Sequence, residues 1–530
     1  MLQLSDPSIL WIVVLAFVIA FILAFGVGAN DVANSFGTSV GSGVLSLRQA
    51  CILATIFEIL GSALLGYKVA STVRLGVFDI NMYANQEKLL MLGYLSSLIG
   101  AALWNLLATF AKLPVSGTHS IIGAVLGFTL VIKGFNGLLW DTLVAIILSW
   151  FISPLLSGII SVFICYFIMK LIVEKPEPLE PGLKALPLFY GITIFINLLS
   201  ILNDGPEFFY LDKLPWWIGL ICSLLGSILT SLIVWFLVVP HQRRKIVKLI
   251  SKKSSNDLVF TKSCAPPREL SSQNGRCEEM FESNRSIGSD IKSSNDSELA
   301  LQPGVVIITK AYENESIKSP VSINLNDKPA KIVDNVDENV YDRPEVAALF
   351  KYLQILTACF GSFAHGANDV SNAIGPLIAV VLIWTSGDVF QRAPTPYWLM
   401  LYGGVGISVG LIVWGRRVIK TIGSDLTSIT PSTGFCIELG SAATVLLATK
   451  IGLPVSTTHC KVGSVVLVGR YGGTKNKVDW SLFVNIILAW ILTVPITALL
   501  SAASMYFLKW IVPDNYLAPT TYAITLGSEY

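Results

Sequence analysis

An aspartate flanked by asparagines and glycines occurs twice in this chain. Gly28-Ala29-Asn30-Asp31-Val32-Ala33-Asn34-Ser35-Phe36-Gly37 returns as Gly366-Ala367-Asn368-Asp369-Val370-Ser371-Asn372-Ala373-Ile374-Gly375, with seven of ten positions identical. A carboxylate among amide and carbonyl oxygens is a hard ligand set for a small cation such as Na⁺. Both copies lie beside long apolar runs, where ionisable groups are costly and usually functional. Simple helix capping by Asp31 and Asp369 is the competing reading. Repetition at matching positions favours a duplicated site. Glycine loosens a helix, and Asn and Asp compete for its backbone groups, so the helix is expected to break at each motif.

A second repeated segment has anion chemistry. Leu106 to His119 reads LLATFAKLPVSGTH and Leu446 to His459 reads LLATKIGLPVSTTH, matching at ten of fourteen positions. Pro114 and Pro454 interrupt or start a helix, and Ser116, Thr118, Ser456, Thr457 and Thr458 fall in its first turn, where N–H groups lack partners and the dipole is positive. Such a turn can hold an oxyanion such as phosphate with backbone N–H groups and hydroxyls. The stretch from Pro114 to Gly123 contains no Lys or Arg, so co-bound cations would supply the countercharge. Ordinary capping with small-residue packing is the alternative. The two motif pairs are offset by 338 and 340 residues, and Trp150 and Trp490 fall on the second offset. One ancestral unit has been used twice.

Glu58 and Glu438 each sit inside an apolar run, as cation ligands, gating groups or partners of a buried base; their different distances from the Asn-Asp motifs argue against a strict repeat pair. Lys461, just past the second Ser-Thr motif, is expected to pair with an acid. His119, His459 and His365 adjoin the motifs in direct or supporting roles. Gly26-x-Gly28 and Gly403-Gly404-x-Gly406 have no preceding strand and read as helix-packing sites.

The elements that must position these residues follow from composition. Of 530 residues, 53% are hydrophobic and 14% charged, with mean hydropathy +0.66, against about 25% charged in soluble domains. The chain belongs in a bilayer. A net charge of +2 argues against a nucleic-acid partner, and eight cysteines without CxxC spacing argue against a disulfide or metal framework. With about 20 apolar residues per crossing, spans are predicted at 9–29, 49–66, 89–111, 119–133, 141–170, 187–203 and 215–240, then at 346–384, 397–415, 432–449, 456–470 and 482–510. The fold is expected to be an all-α polytopic membrane protein of about twelve segments, with broken helices and re-entrant segments at the site.

Three parts result: a membrane half at 1–240, a polar linker at 241–345 whose composition opposes ordering, and a second membrane half at 346–530. Arg243, Arg244, Lys245 and Lys248 at the end of the seventh span place the linker in the cytoplasm, as do Arg416, Arg417, Lys420, Lys475 and Lys477 in later loops on that side. Both termini are then outside. The sequons at Asn284, Asn295 and Asn314 are expected to be unglycosylated. Seven crossings between the first span and its repeat partner make the two repeats inverted, as in many secondary transporters.

The paired GANDV-x-N and LPVS-x-TH motifs resemble the PiT family of inorganic phosphate transporters, across both membrane halves but not the linker. Phe360-Gly361-Ser362-Phe363-Ala364-His365-Gly366 and Tyr402-Gly403-Gly404-Val405-Gly406-Ile407 are similar to its animal, sodium-coupled members. The resemblance implies a Na⁺/phosphate symporter of the plasma membrane, commonly a homodimer, with no cofactor and no metal but sodium. It implies phosphate contacts at Ser116, Thr118, Ser456, Thr457 and Thr458 with Asp31 and Asp369. Sodium is implied at Asn30, Asp31, Asn34, Asn368, Asp369 and Asn372, and transport-critical acids at Glu58 and Glu438. A proton-coupled or sulfate transporter of the same fold, or an anion channel, is the rival reading. A membrane-embedded enzyme is disfavoured because no nucleophile–base pair or metal cluster stands apart from the repeated motifs.

Overall fold

Apolar runs in a bilayer must close their backbone hydrogen bonds internally, which selects helices, and the computed structural model of the chain is helical throughout its membrane part. It describes residues 7–205, 211, 214–263, 342–415, 418, 425–471 and 478–512. The sequons, most of the linker and the basic residues Arg416, Arg417, Lys420, Lys475 and Lys477 lie outside these. Among the described residues there is no strand, only an isolated bridge between Phe78 and Leu138. Residues 1–251 with 339–530 form one compact unit; of the second, residues 252–338, the described part is the helical stretch to Ser263.

The helices are α1 (Pro7–Gly41), α2 (Leu47–Leu65), α3 (Tyr67–Leu75), α4 (Glu87–Phe110), α5 (Gly117–Lys133), α6 (Trp140–Ile168), α7 (Leu179–Asp204), α8 (Trp216–Ile233) and α9 (Val239–Ser263). After the linker come α10 (Pro344–His365), α11 (Ser371–Ser386), α12 (Tyr397–Trp414), α13 (Pro431–Lys450), α14 (Thr457–Tyr471) and α15 (Trp480–Ile511). Capping boxes at Ser46 and Thr430 start α2 and α13, each satisfying first-turn N–H groups. Ten helical stretches among the described residues are long and apolar enough to span a membrane, against about twelve expected. The difference lies at α5 and α14, of 17 and 15 residues. At 1.5 Å per residue they reach only about 25 Å, short of the roughly 30 Å hydrocarbon core.

Each short helix is the second arm of a hairpin, α4–α5 and α13–α14. The hairpin tips share one backbone design: Leu113 N–H donates to Ala108 O and Leu453 N–H to Ala448 O, at 2.9 and 3.0 Å. Such 6→1 bonds need a left-handed residue at the turn, supplied by Lys112 at φ 60° and Gly452 at φ 69°. Lys112 departs from the glycine rule at a position its repeat partner obeys.

Packing between the repeats is reciprocal. The last helix of each packs on the other's hairpin, α15 on α4 and α5, α6 on α13 and α14; α1 packs on α12 as α10 packs on α2. Single residues obey the same exchange. A Cβ on Gly28 would fall 2.0 Å from the carbonyl oxygen of Ile407, and one on Gly366 2.1 Å from that of Glu58. Gly61 meets the Phe363 carbonyl as Gly410 meets that of Phe25, both at 1.9 Å. Contacts that swap partners in this way define a two-fold relation, here internal to one chain. Because the opposing atoms at Gly28 and Gly366 are backbone, Gly28→Ala and Gly366→Ala should each cost about 1–3 kcal/mol by overpacking. Gly226→Ala, which meets only the flexible end of Leu198 at 2.5 Å, should cost little. Thermal melts of the three purified variants check this ranking.

One local expectation is corrected. The Asn-Asp motif does not break α1, which runs continuously to Gly41, and in the second copy the motif Gly366–Val370 is a π-helical turn joining α10 to α11. The amide side chains find partners on other elements, so they do not compete with their own helix. The interruptions fall at Pro114 and Pro454, where proline lacks an N–H.

Candidate ion-binding site

The two Asn-Asp helices cross at the two-fold, and the hairpin tips close over the crossing. Carboxylate oxygens of Asp31 and Asp369 and a ring nitrogen of His365, all buried, lie within 4.8 Å of one another. Asn34 Nδ2 donates to Asp31 Oδ1 at 2.9 Å and to Thr458 Oγ1 at 2.8 Å. Reciprocally, Asn372 Nδ2 donates to Asp369 Oδ1 at 3.3 Å and to Thr118 Oγ1 at 2.7 Å. The Thr458 hydroxyl donates to Asp31 Oδ1 at 2.9 Å, and that of Thr457 to Asp369 Oδ2 at 2.5 Å.

The first asparagine of each motif holds the hairpin of its own repeat. Asn30 Nδ2 donates to Leu113 O at 2.9 Å and to Thr109 Oγ1 at 3.1 Å, while its Oδ1 accepts from Val115 N–H at 3.0 Å. Asn368 Nδ2 donates to Val455 O at 2.6 Å. Each motif is thus clamped to its own hairpin by one asparagine and to the opposite hairpin by the other. After these bonds are made, Asp31 Oδ2, Asn34 Oδ1, Asn368 Oδ1 and Asn372 Oδ1 remain buried with no donor among the described residues. Buried acceptors are almost always paired, and oxygens of carboxylate and amide type are the ligands a hard cation takes.

The Ser-Thr residues expected to hold an anion lie at the N-termini of α5 and α14. Ser116 Oγ accepts from His119 N–H and Ser456 Oγ from His459 N–H, both at 3.2 Å, so these serines serve as N-caps. The amides preceding the capped one have no intrahelical acceptor. The tips touch through Thr118 Oγ1, which donates to Val455 O at 2.9 Å, and Thr458 Oγ1, which approaches Val115 O at 3.3 Å. The Asn-Asp and Ser-Thr residues singled out in the sequence are therefore all brought to one place.

The two glutamates are held differently. Glu58, on α2, has Oε2 2.6 Å from His365 Nδ1, and its Oε1 accepts from Ser35 and Ser362 at 3.1 Å each. His365 Nε2 lies 3.1 Å from Asp369 Oδ2, so the imidazole bridges Glu58 to the central carboxylates. Glu438, on α13, pairs with Lys461 and accepts from Thr38 of α1. Position 58 packs on Gly366 as Ile407 packs on Gly28, so the symmetry partner of Glu58 is Ile407 and the glutamates are no repeat pair. A cavity of about 20 Å³, lined by Asn34, His365, Thr457 and Lys461 among others, lies beside the cluster; it is large enough for about one water.

The repeated histidines support the tips. His119 and His459 meet edge to face with centroids 4.4 Å apart, and each lies against a tryptophan of a closing helix, Trp150 at 3.9 Å and Trp490 at 3.8 Å. Trp490 Nε1 donates to Pro114 O at 3.2 Å. Ser35, Thr38, Thr109 and Ser362 were not singled out in the sequence. Ser35 and Thr38 stand four and seven residues after Asp31, on its helical face, a spacing visible once α1 is carried past the motif.

The sequence profile of the phosphate transporter family matches residues 27–501. The chain belongs to this family. Sodium-dependent phosphate transporter 1-A of Danio rerio is 42% identical, covering 96% of this chain and 96% of its own length. Sodium-dependent phosphate transporter 1 of Homo sapiens is 40% identical, covering 95% and 96%. A solved structure described as the sodium-dependent phosphate transporter superposes with a TM-score of 0.70 at 32% identity, over 94% of this chain and all of that one. Family membership makes this chain a transporter, not an enzyme, and a multi-pass membrane protein of helical fold.

Proposed function

We propose that this protein carries inorganic phosphate into the cell with Na⁺ by alternating access. The observation that supports it most is the set of unpaired oxygens at Asp31, Asn34, Asn368 and Asn372, beside two opposed helix N-termini. Sodium ions take the oxygens and phosphate takes the first turns of α5 and α14. Hydroxyls of Ser116, Thr118, Ser456, Thr457 and Thr458 exchange their present partners for the anion, and Asp31 and Asp369 border both ions. Glu58 and Glu438 are transport-critical through the groups they hold. The repeats are inverted, which agrees with hairpins that touch at their tips. With the α4–α5 hairpin entering and leaving the membrane on one side, α1, α2, α6, α7 and α8 are the five crossings before the linker. This odd number keeps the linker at 241–345 cytoplasmic between membrane halves at 1–240 and 346–530, with the termini outside, and the protein works as a plasma-membrane homodimer.

Energetics favour the coupling. One charge moved through 100 mV is worth about 2.3 kcal/mol, so phosphate entering a negative cell alone opposes the field. More sodium charge than phosphate charge reverses the sign. Isotope uptake in proteoliposomes should require sodium and should carry inward current under voltage clamp. Ser116→Ala and Ser456→Ala should each raise the phosphate concentration for half-maximal uptake about three- to tenfold, about 1 kcal/mol for a lost cap and hydroxyl contact. Sodium-independent uptake driven by a pH gradient, or uptake of sulfate in place of phosphate, would contradict the assignment.

A further inference from the structure

Arg74, near the end of α3, is 4% exposed, yet no carboxylate among the described residues lies within 4.0 Å of its guanidinium. Its Nη1 donates to Gln391 Oε1 at 3.2 Å and its Nη2 to Thr395 Oγ1 at 3.5 Å, while Nε has no acceptor. A buried charge with only neutral partners is expensive. Its position is nonetheless fixed. Gln391 Nε2 donates to the Tyr94 hydroxyl at 3.0 Å, and that hydroxyl donates to the Arg74 carbonyl at 2.6 Å. Gln391 itself is held at a φ of 53°, in the left-handed region, where a glutamine costs energy.

The guanidinium borders a pocket of about 210 Å³ between α3 and the 387–396 connection. Arg392 adds a second positive charge, Ser71, Tyr67 and Tyr397 add hydroxyl-bearing walls, and no lining residue is acidic. The Arg74 guanidinium, with hydroxyls and the basic Arg392 among the lining residues and room for several waters, suits a tetrahedral oxyanion, which a guanidinium binds through paired N–H groups. The pocket is not the central site: Gly387 follows Asp369 by about 27 Å of helix.

We propose that this pocket is a second oxyanion site, one that takes free inorganic phosphate on the face where α11 ends. The binding claim stands by itself; the further claim that it loads phosphate for the central site rests on the transport reading above. The test uses the purified full-length protein in sodium-free detergent, with phosphate, sulfate or chloride at matched ionic strength. Millimolar phosphate should raise the melting temperature by several degrees, in the wild type and in Asp31→Asn alike. The shift should vanish in Arg74→Gln and in Ser71→Glu. Because Ser71→Glu gives Arg74 a carboxylate of its own, it should melt higher than wild type before any anion is added, which separates a filled pocket from a damaged fold. In proteoliposomes, exposed Arg392→Gln should raise the KM for phosphate at least threefold with maximal rate unchanged. No shift in the wild type, a shift retained in Ser71→Glu, or stabilisation seen only in phosphatidic-acid nanodiscs and not with inorganic phosphate overturns the site. A phosphate shift with the KM of Arg392→Gln unchanged overturns only the loading role.

Discussion

Asp31→Asn should lower sodium-driven phosphate uptake roughly 10- to 100-fold and shift the sodium requirement upward, with the protein still folded. The contacts that position Asp31 run through Oδ1, which accepts from Asn34 and Thr458, and an asparagine carbonyl placed there accepts the same two bonds. What changes is the other oxygen. Oδ2, buried and without a donor, becomes an NH₂ group that repels a cation. Losing one charged contact in a buried site costs about 1.5–3 kcal/mol, and each 1.4 kcal/mol is a factor of about ten. Asp369→Asn should act on stability as well, since both of its oxygens are engaged, by Asn372, Thr457 and His365. A sodium titration of initial uptake rates, beside thermal melts of both variants, separates the two effects. If Asp31→Asn transports with wild-type sodium dependence, the unpaired oxygen is no sodium ligand.

Much of this arrangement is legible in the sequence. Two polar signatures repeated at nearly one offset reveal the duplication, and their residue types lead to the expectation of a cation half and an anion half. The structure joins the Asn-Asp and Ser-Thr motifs through reciprocal bonds such as Asn34 to Thr458 and Asn372 to Thr118. That cross-pairing was not readable, because the sequence carries no signal for which repeat supplies the partner. The path of α1 departs from the sequence expectation for a physical reason. Asn and Asp propensity describes isolated helices, in which these side chains turn back on their own backbone; here Thr109, Leu113 and Val115 capture Asn30 first, and tertiary bonding overrides propensity. Stopping the helix early hid Ser35 and Thr38, which carry the links to Glu58 and Glu438. The position of Lys461 in an apolar run points to an acidic partner, but that the partner is Glu438 is a property of the three-dimensional packing.

That pair carries the second large effect. Lys461→Met should destabilise the protein by about 3–5 kcal/mol, the cost of leaving one member of a buried ion pair alone. Both side chains are almost completely enclosed, at 4% and 0% exposure, and Thr38 supplies Glu438 with only one neutral donor in compensation. The double variant Glu438→Gln/Lys461→Met should recover most of the loss, since replacing both members of a buried pair is often neutral. Stability and transport should then part company. Lys461 lines the small cavity that also touches Asn34, His365 and Thr457, so its ammonium is a positive charge at the edge of the cation cluster. Glu438 neutralises that charge and, through Thr38, ties α13 to the face of α1 that carries Asp31. A folded double variant therefore keeps the bundle but loses both the balanced charge and the charged clamp on α1, and its uptake should fall at least tenfold. Denaturation curves of the three proteins with uptake measured on the same preparations decide the matter: recovered stability with wild-type uptake would make Glu438 and Lys461 a packing device, and recovered stability without uptake places them in the transport cycle.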